Sequence, residues 1–296
     1  MASKLVTADY YYVTALSTNE EDRTESRIID LAEVITQNFC SENANCAAST
    51  KRKVTIDSGK LQMCYKHDEG FYELQFLYLR ESDRPQIAKD TGELEELTLD
   101  DGTYLSESAS CLFDPEYNIA VLQKNGRGAH CGFVERYLNA LLNPFFRNSA
   151  ISLQPIMGGN EYGKIVGKRI KKIDCTAYFV GQPNNINSVF LPLSAMKPRT
   201  IFFSARSGRS TLEQETAHKT IDELRSATEV ESLKVGYVDV DNDVKIANLM
   251  DDRISDSFIL RNISKENPIR HSDIFSGIKQ EYLRRDKEAG GFRRVR

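Results

Sequence analysis

The stretch CLFDPEYNIAVLQKNGRGAHCGFVERYLNALL, Cys111–Leu142, decides between two fold classes. An apolar strand-like run leads into the glycine turn NGRGAHCG, and an amphipathic helix follows. In a doubly wound α/β protein, that order of strand, glycine loop and helix forms a backbone nest for phosphate. The dinucleotide pattern G-x-G-x-x-G would need glycine at position 131, where this chain has Cys131. No Lys-Ser/Thr pair follows, so the turn is not a P-loop either. A second reading makes Cys131 a nucleophile, its pKa lowered at the helix N-terminus. A catalytic base must face its thiol, however, and neighbouring side chains such as His130 and Cys131 diverge. The third reading is a tight corner, in which Gly126 and Gly128 take backbone conformations closed to other residues and Gly132 lets the helix start close-packed. We adopt the corner, with Arg127 exposed at its tip and within reach of a phosphate.

Outward from this corner, strands come in runs rather than alternating with helices. Leu5–Leu16 is rich in Tyr and Val and reads as a strand. Thr24 or Ser26 caps an expected helix whose apolar stripe is Ile28, Leu31, Ile35 and Phe39. KVTID, KLQMCYKH and FYELQFLYLR then read as three strands of a β-meander, with turns at Asp57–Ser58–Gly59 and Asp68–Glu69–Gly70. Residues 81–101 carry eight acids against Arg84 and Lys89 and are expected to form an exposed acidic loop. Beyond the corner, AISLQPIMG is a strand, GGNEYG a turn and KIVGKRIKKIDCTAYFV a long strand region. SVFLPLSAM and RTIFFSARS lie on either side of Pro198, and ESLKVGYVDV is a further strand. Helices are expected at TLEQETAHKTIDELRSA, with Leu212, Ile221 and Leu224 inward, and at SDIFSGIKQEYLRR, with Ile274, Phe275, Ile278 and Tyr282 inward. The fold class is therefore α+β, with mixed, largely antiparallel sheets and packed helices. The expected division is an N-terminal α/β-meander region at 1–107, an α+β region at 108–285 and a basic flexible tail at 286–296.

The formal net charge of −4 excludes a globally basic protein but leaves room for a basic face. No apolar run approaches the roughly 20 residues that span a bilayer, and MASKLVTADYYYV lacks a signal-peptide core. The expectation is a cytoplasmic protein without membrane insertion. The six cysteines are scattered with no C-x-x-C and are expected to be free thiols. His130 and Cys131 are the only closely spaced ligand types, so no metal and no cofactor are expected. DVDND, with Asp239, Asp241 and Asp243, has Val244 and Met250 where an EF-hand needs glycine and glutamate, and it reads as a solvated turn.

Positive charge is segregated. Lys164, Lys168, Arg169, Lys171 and Lys172 occur without one acid between 164 and 172. MKPRTIFFSARSGRS adds Lys197, Arg199, Arg206 and Arg209 in a Ser/Gly context. From Arg261 to Arg296, ten basic residues face five acidic ones. Such clustering suits phosphate-backbone contacts, which are independent of sequence where no readout helix is present. The same lysines would also serve to protect exposed strands from edge-to-edge pairing.

Residues 108–180 resemble the RexA family of phage exclusion proteins in layout. The shared order is SASCLFDPEYNIAVLQKNG, the helix FVERYLNALL, ISLQPIM, GG and a basic strand ending in AYFV. The resemblance implies a dimer that binds DNA without strong sequence preference, and a fold related to the ring-forming recombination protein RdgC. The segment is also similar to the DNA-binding subunit of the Kiwa anti-phage system. Together these imply a prokaryotic or phage protein that acts in anti-phage defence. The expected function is thus that of a non-enzymatic homodimer on the backbone of duplex DNA, contacting phosphates through Arg127 and the basic residues of 164–209. One alternative is an interaction or sensor module whose acidic loop engages a protein partner in a defence system. A further alternative is an enzyme, either a metal-dependent nuclease at Asp239, Asp241 and Asp243 or a thiol enzyme at Cys131.

Overall fold

A computed structural model of the chain describes residues 2–18, 24–27, 31–32, 34–35, 53–56, 59–80, 86–88, 90–100, 102–125, 128–142, 149–178, 200–208, 210–227, 230–264 and 268–288. The fold is α+β, and the strand pairs whose register is defined are antiparallel. The chain divides into two compact units, Met1–Leu153 with Asp256–Arg296, and Gln154–Ser255. The boundary expected at 107/108 therefore moves. It would cut a strand, Leu105–Asp114, that is hydrogen-bonded along its length to a neighbour, so no linker can lie there.

In unit 1 the strands are β1 (Ala2–Thr18), β2 (Thr24–Arg27), β3 (Val54–Ile56), β4 (Gly59–Asp68) and β5 (Phe71–Arg80), then, after a small β6–β7 pair, β8 (Leu105–Asp114), β9 (Ile119–Gln123), β10 (Ser149–Pro155) and β15 (Ser255–Ile263). They build a nine-stranded sheet in the order β10-β1-β9-β8-β5-β4-β3, with β2 and β15 also paired to β1. The meander expected at 53–80 is present. Its β4–β5 turn has Glu69 and Gly70 at φ 50° and 85°, the two left-handed residues that a tight hairpin with native twist requires. Thr24 and Ser26 do not cap a helix. They lie in β2, paired with the end of β1, where ladder hydrogen bonds outcompete a local cap.

Helix α1 (Cys131–Leu142) covers one face of this sheet and helix α4 (His271–Glu288) the other. The alternation along β8 shows the division. Ala109, Cys111 and Phe113 join the core formed with Val134, Tyr137 and Leu138 of α1, whereas Ser110 and Asp114 meet α4. β9 is buried at every position. Burial on both faces explains why CLFD and IAVL read as continuous apolar runs rather than as alternating strands. The single strand-like run expected there is a hairpin, turned at Asp114, whose Oδ1 accepts the backbone N–H groups of Glu116 (2.8 Å) and Tyr117 (3.4 Å).

The acidic segment is more ordered than a loop. β6 (Gln86–Ala88) and β7 (Leu94–Glu96) pair antiparallel, and Glu93, Leu94, Glu95 and Glu96 are exposed. This hairpin is an excursion between adjacent strands, since β5 and β8 are already paired at Arg80 and Leu105.

Unit 2 holds helix α2 (Asn160–Ile165), β11 (Arg169–Tyr178), β12 (Thr200–Arg206), helix α3 (Gln214–Ser226), β13 (Val230–Val238), β14 (Val244–Asn248) and a 3-10 turn at Leu249–Asp252. The sheet order is β12-β11-β13-β14. Its inner face carries Ile170, Ile173, Cys175, Ile201, Leu233 and Val235 and packs against Ala217, Ile221 and Leu224 of α3. The NEYG of GGNEYG and the start of KIVGKRI are helical rather than turn and strand. The carboxylate of Asp252, distant in sequence, accepts the N–H groups of Glu161 (2.8 Å) and Tyr162 (2.7 Å) and so satisfies the orphan donors of this short helix.

Of the cysteines, Cys111, Cys131 and Cys175 are free and buried. Burial pushes the Cys111 and Cys175 thiols up to about 12. Cys64 corrects the expectation of six free thiols, because it is disulfide-bonded; its partner lies outside the described residues. Among the described residues, no helix is long and apolar enough to cross a membrane.

Candidate nucleic-acid interface

The basic run 164–172 is distributed over a helix end, a glycine turn and the first half of β11. Lys164 closes α2 and pairs with Glu161. Gly167 takes φ 68° and turns the chain into β11. A bulge between Ile170 and Lys172 interrupts the pairing of β11 with β13. Gln214 of α3 repairs the gap, its Oε1 accepting the Ile170 N–H at 2.7 Å. His218 adds a contact of 3.2 Å to the Lys168 carbonyl. The bulge breaks the simple alternation of KRIKK, so sequence periodicity alone cannot assign its faces.

Several of these cations have local partners. Lys168 pairs with Asp239 at 3.3 Å, and Arg169 donates to Asn242 Oδ1 at 3.1 Å. Lys171 is half-buried and makes no ion pair with the described residues. Lys172 pairs with Asp174, and Arg206 approaches the same carboxylate at 3.9 Å. Ser204 donates to it at 2.7 Å. Burial pushes the Asp174 carboxyl up, but hydrogen bonds from Lys172 and Ser204 and the charges of Lys172 and Arg206 outweigh it and hold the group below its ordinary value. Lys197, Arg199, Arg209 and Arg127 lie outside the described residues.

The strand registers assemble what the sequence keeps apart. Lys172 stands opposite Arg206, and Asp174 stands opposite both Ser204 and Lys234. Lys234 is exposed. On the outer face of the sheet, Lys172 and Arg206 therefore approach one carboxylate, and Lys234 stands opposite it in register, three cations to one acid among these residues. The same face carries large apolar groups. Phe202 is 69% exposed, Ile246 65% and Val244 55%. Lys234, Phe202 and Ile246 were not singled out from the sequence. The available signal was the alternation of TIFFSAR: of two adjacent phenylalanines in a strand, one must face outward.

The other candidate chemistries fare differently. Asp239 is engaged by Lys245 and Lys168, whose hydrogen bonds hold its carboxyl far below the usual range. Asp241 and Asp243 are exposed in the turn beside it. Among the described residues, no three His, Cys, Asp or Glu side chains come together as a metal site. Cys131 is buried, and the His130 ring lies 3.9 Å from that of Phe133. Gly126 and Arg127 of the expected corner lie outside the described residues.

A constellation absent from the sequence reading lies beneath α4. Ser110 Oγ is 2.6 Å from His271 Nδ1, and His271 Nε2 is 3.1 Å from Glu73 Oε1. This has the composition of a serine-hydrolase triad. Ser110 is completely buried, however, and its own N–H donates to Gln123 Oε1 at 3.0 Å. No reacting carbonyl can reach that hydroxyl, so the three residues act as a polar staple between α4 and the sheet. Burial pushes the His271 imidazole down to about 4.

The arrangement defines a two-unit α+β protein with one covered sheet and one bare, basic-and-apolar sheet face. The chain belongs to the DUF6731 family, a family of unknown function, which matches residues 1–293. No curated protein matches the chain.

Proposed function

We propose that the protein binds nucleic-acid backbone without sequence preference through the outer face of the unit 2 sheet. The observation that carries this reading is the convergence of Lys172, Arg206 and Lys234 around the single carboxylate of Asp174. Phosphate oxygens complete the charge balance of such a cluster, and they release counterions as they do so. Cations that contact phosphates position a backbone without reading base sequence. Action as a homodimer in anti-phage defence belongs to the same proposal and is supported by the resemblance of residues 108–180 to the RexA family. Fluorescence anisotropy with labelled DNA over a range of salt tests the reading. Affinity is expected to fall with salt, and Lys172→Glu with Lys234→Glu to weaken binding and flatten the salt slope. Unchanged affinity in that double variant would remove the face from the account.

A second reading draws on the acidic hairpin, which offers exposed Glu93, Glu95 and Glu96 around an exposed Leu94. Here β6–β7 engages a basic protein. Deleting residues 84–101 should leave the main sheet paired, since β5 and β8 meet independently of the hairpin. Loss of a protein partner with DNA binding intact would favour this reading.

A further inference from the structure

We infer that the bare face of the unit 2 sheet is built for single-stranded nucleic acid, with an unpaired base stacked on Phe202 and phosphates on Lys172, Arg206 and Lys234. The inference rests on the backbone-binding reading and narrows its ligand.

β12 alternates between exposed positions at Thr200, Phe202, Ser204 and Arg206 and more buried ones at Ile201, Phe203 and Ala205. Phe203 packs against the unit 2 core, so the strand already spends one aromatic ring on stability. Phe202, its neighbour, makes no such use of its ring and is 69% exposed. On β14, Val244, Lys245 and Ile246 are all exposed, while Ala247 is buried. Phe202 and Ile246 stand on opposite edge strands of the sheet, with Lys172 and Lys234 on the strands between them.

The charge on the face selects among ligands. Phe202 pairs with Thr176, four residue pairs along the β11–β12 ladder from Lys172 and Arg206. At ~3.4 Å per residue that is about 13 Å along the strand, and Lys234 lies two strands across from β12, ~10 Å away. A ring with cations at those spacings offers a stacking platform beside an electrostatic track. Single strands use both, because every unpaired base has a π-face and every linkage a phosphate. A duplex can use only the track, since its bases are already stacked on one another. An acidic protein segment would meet the cations but would make less of the aromatic ring.

The test compares the full chain on a short oligothymidylate, a short oligouridylate and a duplex, by anisotropy at fixed salt. The single strands are expected to bind more tightly than the duplex. Phe202→Ala should weaken single-strand binding about tenfold and leave duplex binding unchanged. Phe202→Tyr, which keeps a stacking ring, should restore it. Lys234→Glu should weaken both ligands. If Phe202→Ala leaves single-strand affinity unchanged while Lys234→Glu lowers it, the stacking inference falls and backbone binding stands. If polyglutamate competes as well as oligothymidylate, the face belongs to an acidic protein and the inference falls. If no oligonucleotide binds, both readings fall. Phe202 and Lys234 are exposed, so circular dichroism of each variant should match the unsubstituted protein.

Discussion

The two units differ in what they do with the second face of a sheet. Unit 1 covers both faces, and several polar groups beneath α4 find partners within the unit. Asp256 receives Arg285 through Nε (2.8 Å) and Nη2 (2.6 Å) as well as the Tyr10 hydroxyl (2.6 Å). Asp114 receives the Tyr282 hydroxyl at 2.6 Å, and His271 lies between Ser110 and Glu73. Among the described residues, unit 2 packs a helix on one face and leaves on the other an excess of cations and an exposed phenylalanine. Burial forces polar groups to find partners within the chain. Exposure relaxes that demand, so unmatched charge and bare apolar surface collect where a partner can supply the match.

Substitutions should therefore cost stability in unit 1 and binding in unit 2. The largest stability effect is expected from Asp256→Ala, which removes the carboxylate shared by Arg285 and the Tyr10 hydroxyl. Hydrogen bonds to a charged acceptor are worth about 1.5–3 kcal/mol each, to be read as a lowered urea midpoint in unfolding followed by circular dichroism. Next comes pH. The folded His271 titrates near 4, below its ordinary value of 6.5, so the unfolded chain binds the extra proton between those pH values. Stability should be full above about pH 6.5 and fall as pH drops towards 4, by at most about 3 kcal/mol. The Glu73 carboxylate, 3.1 Å away, opposes part of that loss. His271→Gln should flatten this stretch of the stability–pH curve, whereas an unchanged slope would show that the imidazole is not the group responsible.

Gly277 of α4 offers a smaller effect by another route. A Cβ there would meet Phe258 Cε2 at 2.2 Å. Gly277→Ala should lower stability by about 1–3 kcal/mol through overpacking, with nucleic-acid binding unchanged. The sharpest comparison lies between two adjacent residues of β12. Phe203→Ala should cost about 2 kcal/mol in lost burial, whereas Phe202→Ala should stay within about 0.5 kcal/mol and register in binding instead. Equal losses from the two would mean that the outer face is packed.

Elements set by local chemistry were legible in the sequence. The Glu69–Gly70 turn, the α3 and α4 helices with Ile221, Leu224, Ile278 and Tyr282 inward, and the α+β class all followed from periodicity and turn residues. Non-local pairing hid the rest. Thr24–Arg27 carries helix-cap residues but forms β2, because the end of β1 beyond its pairing with β9 takes up its backbone. Lys164 sits on a helix because Asp252, some ninety residues away, caps it. The candidate face was half visible: the lysines of β11 and Arg206 stood out by composition, but Lys234 and Phe202 join them only through strand register. The same register revealed Asp174 among them, which turns a run of positive charge into a partly neutralised cluster.

The most direct test of the central claim is amide hydrogen exchange of the full chain with and without a saturating single-stranded oligonucleotide. The account predicts slower exchange confined to the peptides covering β11–β14 of unit 2, with unit 1 unchanged. Protection centred on unit 1, or none in β12 and β13 while the oligonucleotide is bound, would contradict it.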